Sequence, residues 1–241
     1  MSDIEENPWK EMKESPDANG EYILEKDRKY INEHKLRDKL DLKLHLYPEP
    51  FIGNPKAPIY LLNLNPGYSE GDEDDMPMLK NYIFKNYRHE CPFYYLIDEL
   101  KETNGAKWWR FGKSKPKLAP RLGKLIAEFG GDVEKVARSV FCIEYFPYHS
   151  KKFSVKEIKD LPSQTYSKHL IEKAIREKED TIFIIMRKKE ELFDLIPELE
   201  GAESAGRVFR CFSSQNPCIT EENIAKKEGF STIVDKIKKV V

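Results

Sequence analysis

"IYLLNLNPGYSEGDEDD", residues 59–75, joins an apolar run to an Asn-Pro-Gly break and then to five carboxylates within six positions, Glu70, Asp72, Glu73, Asp74 and Asp75. Residues 59–64 read as a short buried strand, because the run carries no charge and a Pro/Gly break ends it. The end of that strand decides how the chain is read. Asn65-Pro66-Gly67 is either a turn and nothing more, or the floor of a ligand pocket.

Outward from this stretch, strand patterns alternate with helical ones. "SVFCIEYF" (139–146), "TIFIIM" (181–186) and "RVFRCF" (207–212) are rich in Val, Ile and Phe and read as three further strands. Helical patterns cover 18–41, 78–101 with a kink or division at Pro92, 120–129, 166–178, 188–195 and 221–240, the last beginning at Thr220. Pro48, Pro50, Gly53, Pro55 and Pro58 forbid regular structure up to Ile59. Strands separated by helices call for right-handed crossovers and a parallel sheet covered on both faces. The expected fold is therefore α/β: a three-layer α/β/α domain over 51–241 with a central, mostly parallel four-stranded sheet, preceded by an N-terminal helical extension over 1–50.

Composition narrows the function classes. With 39% hydrophobic and 34% charged residues in 241, the chain is neither a disordered segment nor a membrane protein. No apolar run is long enough to cross a bilayer, and "MSDIEENPWKEMKE" lacks the pattern of a secretory leader. A cytoplasmic monomer without membrane association is expected. Cys91, Cys142, Cys211 and Cys218 are scattered with no C-x-x-C pair, so they read as reduced structural thiols; no metal or cofactor is expected. The net charge of −1 conceals an uneven distribution, since "KWWRFGKSKPKLAPRLGK" (107–124) holds seven Lys/Arg and no acid.

In parallel sheets ligands bind at the carboxyl ends of the strands. Here those ends are Asn65-Pro66-Gly67, Pro147-Tyr148-His149-Ser150, Arg187, and Ser213-Ser214-Gln215-Asn216-Pro217. As a set they resemble the uracil-DNA glycosylase superfamily, nearest its mismatch-specific and thymine-DNA glycosylase branch. "LNLNPG" matches a Gly-Ile-Asn-Pro-Gly type of motif except at its leading Gly, and "QNPCIT" matches an Asn-Pro-Ser type with Cys218 in place of Ser. "TIFIIMRKKEELF" resembles the third-strand segment, with Arg187 where a small residue is usual. Histidine-dependent branches carry His where this chain has Asn216 or Ser214, and the four-cysteine set of iron-sulfur members is absent.

The resemblance implies an α/β/α fold and hydrolysis of the N-glycosidic bond of a damaged or mismatched base in DNA. On that reading Asn65 positions the water, Gly67 lets backbone N–H groups approach the base, and Asn216 contacts the base or sugar. Pro66 would help shape the pocket, and Pro217 would press the nucleic-acid backbone as the nucleotide leaves the stack. A flipped base also needs an aromatic platform, for which Tyr68, Phe146 and Tyr148 are placed. His149 is a proton donor or phosphate contact, or else a solvated or capping histidine. Arg187 contacts the ligand or merely closes its strand. Lys107, Trp108, Trp109, Arg110, Lys113, Lys115 and Lys117 combine cations with aromatic faces as a nucleic-acid contact would, or form a solvated basic linker. The acidic run at 70–75 repels phosphate and reads as a solvated loop facing away from DNA. Two further functions remain: a non-catalytic nucleic-acid-binding module, and a binder or hydrolase of a small nucleotide-like ligand.

Overall fold

The computed structural model describes residues 6–113, 117–154, 161–226 and 228–240, organised by a five-stranded mixed sheet. The strands are β1 (Phe51–Ile52), β2 (Ile59–Asn63), β3 (Val140–Glu144), β4 (Ile182–Ile185) and β5 (Val208–Arg210). Their order is β1-β3-β2-β4-β5. β2 lies between β3 and β4 and runs parallel to both, and β4 runs parallel to β5. All positions of β2, β3 and β4 are buried, which is why they read as continuous apolar runs rather than alternating ones.

The expected four strands are present, and β1 makes a fifth, antiparallel to β3 through Phe51↔Ile143 and Ile52↔Cys142. Prolines hide this strand from a local reading. A two-residue edge strand nevertheless needs few ladder donors, so flanking prolines do not forbid it. Gly53 then leaves the strand at φ +101, where a Cβ would lie 2.9 Å from the Val140 carbonyl oxygen.

Several helices differ from their expected bounds. The 18–41 pattern forms α1 (Glu25–Glu33) and α2 (Leu36–Leu40), broken where Lys35 adopts φ +53. α3 spans Asp72–Tyr87. It therefore begins before residue 78 and takes Asp72, Glu73, Asp74 and Asp75 of the acidic run as its first turn, leaving Glu70 exposed ahead of it, a correction to the solvated loop, because carboxylates there are attracted by the positive end of the helix dipole. It stops well before Pro92, where His89 turns to φ +60. α4 (Asn104–Ala106) continues into a π-helical turn, Lys107–Phe111, ended by Gly112 at φ +81. There follow α5 (Gly123–Glu128), α6 (Val133–Ser139), α7 (Gln164–Glu177), α8 (Lys189–Leu195), α9 (Leu199–Ser204) and α10 (Gly229–Lys238). α10 starts later than Thr220, because Ile224 bridges to Cys211 and its backbone serves the sheet side instead.

Buried apolar side chains form one cluster that runs from Trp9 to Ile237 and includes Ile31, Leu36 and Leu40 from the first fifty residues. All four cysteines are buried free thiols. Among the described residues no helix is long and apolar enough to cross a membrane.

Candidate functional site

The carboxyl ends of β2, β3 and β4 open into a cavity of about 360 Å³. Its other walls come from the start of α3, from residues 104–113, from Arg121 and from the segment before β1.

The floor is polar. Asn63 and Glu144 are register partners on the last rung of β2 and β3. The Asn63 amide donates to Glu144 Oε1 at 3.1 Å and lies 3.4 Å from Cys142 Sγ. Glu144 Oε2 is buried without a hydrogen-bond partner. Burial and the neighbouring Glu49 push the Glu144 carboxyl up to about 8, against the pull of Arg187 and Arg121. Glu49 is pushed up by burial as well, opposed by His149 and by hydrogen bonds from two tyrosines. Tyr94 donates to its Oε1 at 3.1 Å, and Tyr95 donates to the same oxygen.

Arg121 closes the far side. It is only 3% exposed, its guanidinium stacks 3.6 Å from the centre of the Trp108 ring, and its Nη1 has no partner. Burial and Arg187 lower it to about 9. Nη1 is thus a buried donor held in place by the stacking on Trp108.

Asn65, Pro66, Gly67, Tyr68, His149, Arg187, Trp108, Trp109 and Lys113 all line this cavity. Asn65 Nδ2 donates to Ser150 Oγ at 2.9 Å, and His149 Nδ1–H donates to the Gly67 carbonyl at 2.8 Å. Gly67 has φ +74, yet nothing lies within 4 Å of where its Cβ would stand. Glycine is needed there for the backbone conformation, not for close approach. Tyr68 donates to Glu73 Oε1 at 2.9 Å, which raises its phenol to about 12, and its ring faces the ammonium groups of Lys43 and Lys151. Lys113 donates to Ser69 Oγ at 3.1 Å across the mouth.

Other sequence candidates lie elsewhere. Phe146 and Tyr148 are core residues rather than a stacking platform: Tyr148 donates to Asp27 Oδ2 at 2.7 Å, and Phe146 packs edge-on against it. The loop bearing Asn216 and Pro217 is tied to residues 119–121, with the Ile219 N–H on the Arg121 carbonyl at 2.8 Å and Cys218 Sγ 3.3 Å from the Ala119 carbonyl. From that side Arg121, not Asn216 or Pro217, reaches the cavity. Ser214 is exposed in a separate recess with Arg210 and Phe212. Lys107 pairs with Glu102 at 3.6 Å, and Arg110 donates to the Leu96 carbonyl at 2.8 Å while pairing with Asp98. Lys117 is exposed and away from the cavity. Lys115 lies outside the described residues.

Glu49, Asn63, Arg121 and Glu144 escaped the sequence reading. Asn63 and Glu144 left a signal, a single polar residue closing an otherwise apolar strand, whereas Glu49 and Arg121 left none. Among the described residues no three His, Cys, Asp or Glu side chains gather as a metal site. Compared with protein-family models, with curated proteins and with solved structures, the chain matches none.

Proposed function

We propose that this chain is a uracil-DNA glycosylase-like protein of three-layer α/β/α architecture that hydrolyses the N-glycosidic bond of a damaged or mismatched base. The observation that carries the reading is the convergence of Asn65, Gly67 and His149 with Trp108 around one cavity at the strand ends. Hydrolysis breaks the bond from the sugar C1′ to the base nitrogen, and its electron pair leaves on the base. Water adds to C1′ and loses a proton. Asn65, its amide nitrogen committed to Ser150, would hold that water through its carbonyl oxygen. Arg121, Arg187 and the Glu144 carboxyl face the space where charge develops on the departing base.

One observation favours a second reading, a small nucleotide-like ligand in place of DNA. Asp72 and Asp75 stand on the cavity wall, and Lys107 and Arg110 are paired with carboxylates instead of being free for phosphates. The test is chromatographic detection of free base after incubation with DNA carrying uracil, hypoxanthine, xanthine or mismatched thymine, and separately with the corresponding nucleotides. Release from DNA, abolished by Asn65→Ala, is the expected result. Release from nucleotides alone selects the second reading, and no release from either set overturns hydrolysis.

A further inference from the structure

Arg187 lines the cavity and also a recess of about 320 Å³ at the ends of β4 and β5. That recess shares Lys189, Arg210 and Phe212 with a further hollow of about 360 Å³, so three hollows adjoin in a row toward the β5 edge of the sheet. The two beyond the cavity are lined by Arg187, Lys188, Lys189, Arg210 and Lys226 against two carboxylates, Glu190 and Glu203. Glu203 is already paired with Lys189 at 2.8 Å, and Lys188 pairs with Glu191 at 2.7 Å. Among the described residues Arg187 and Arg210 make no ion pair and no side-chain hydrogen bond. Beside them stands Phe212, 65% exposed and the most exposed large apolar side chain among the described residues. Its backbone is fastened, with its N–H on the Asn223 carbonyl at 2.8 Å. A lone exposed aromatic ring is ordinary. One held beside two unpaired guanidiniums is the combination that meets phosphates and unstacked bases.

We propose that this row of hollows is a track for single-stranded nucleic acid, leading from the cavity toward the β5 edge. Arg187 and Arg210 donate to backbone phosphates, and a base stacks on the Phe212 ring. A single strand suits the track better than a duplex, because bases stacked in a helix offer no free face to the ring. An acidic peptide would match the charge but leave the ring unused. The inference rests on the proposed function only in placing one nucleotide of the strand in the cavity, and not on hydrolysis.

Fluorescence anisotropy of the full chain with a labelled thymidine oligonucleotide, a labelled duplex and a labelled polyglutamate peptide, over a range of salt concentrations, tests it. The single strand is expected to bind tightest, with affinity falling as salt rises. Arg187→Gln and Arg210→Gln, checked for folding by circular-dichroism melts, are each expected to reduce the slope of log affinity against log salt by about 0.7, the contribution of one phosphate contact on a single strand. Phe212→Ala is expected to weaken binding about tenfold and leave that slope unchanged, because stacking releases no counterion. Lys29→Gln, on α1 with its side chain 81% exposed, is expected to change neither quantity. If Arg187→Gln does not fold, Arg210→Gln decides, since Arg210 does not line the cavity. Unchanged slopes in the arginine variants, tighter binding of the duplex, or equal binding of polyglutamate overturns the track and leaves the cavity's own reading standing. Failure of the wild-type chain to bind the single strand also overturns the track, while release of free base from nucleotides decides hydrolysis independently.

Discussion

Glu144 closes a strand whose other residues are apolar, and its carboxyl is held near 8 instead of 4.5 by burial and by Glu49, with Arg187, Arg121 and the Asn63 amide pulling the other way. The folded chain therefore binds this proton more tightly than the unfolded chain. Raising the pH from 4.5 to about 8 removes the stability that this group contributes, and none of it remains above that window. Glu144→Gln cannot ionise, so its stability relative to wild type is expected to rise between about pH 5 and about pH 8 in denaturant melts. A difference between the two proteins that stays constant over this window would show that the carboxyl is not held neutral. At this scale legibility was partial. Asn65, Gly67 and His149 were readable because Pro, Gly and His stand out locally. Arg121 was one cation among seven in its segment, and only its burial against Trp108 distinguishes it.

At the level of elements, the acidic run shows how position changes what a charge does. Asp72 Oδ2 accepts from the Ser69 N–H at 2.7 Å, Asp72 Oδ1 accepts from the Asn104 amide at 2.9 Å, and Asp75 Oδ2 accepts from the Asn104 N–H at 2.6 Å. The run thereby fastens the start of α3 to α4 and shapes the cavity wall. Asp72→Ala is expected to cost about 1–2 kcal/mol in urea denaturation, because two donors lose their acceptor. Glu70→Ala, on the exposed residue before the helix, is expected to stay within about 0.5 kcal/mol. Equal costs for the two would remove the staple from the account. The apolar period of α3 begins only after its first turn, and so the sequence pattern placed the helix start late.

Across the whole molecule, the first fifty residues share the core of the rest. Trp9, Ile31, Leu36 and Leu40 are fully buried in the common cluster. Asp27 accepts from the Tyr148 hydroxyl at 2.7 Å and from the Ser163 N–H at 2.9 Å, joining α1 to the loop after β3 and to the start of α7. Removing residues 1–50 strips these partners away, so the shortened chain is expected to lose the cooperative thermal transition of the full chain. A cooperative melt near the full-length midpoint would show that residues 51–241 fold independently. The sequence by itself determined the α/β class, the four parallel strands and the Asn-Pro-Gly strand end, because apolar runs and Pro/Gly breaks act through local sterics and burial. Only the tertiary structure decided that Glu49, Asn63, Arg121 and Glu144 meet, that Phe146 and Tyr148 turn into the core, and that β1 joins the sheet. Those outcomes depend on strand register and on which long-range surfaces exclude water, and neither is written in any one stretch of chain.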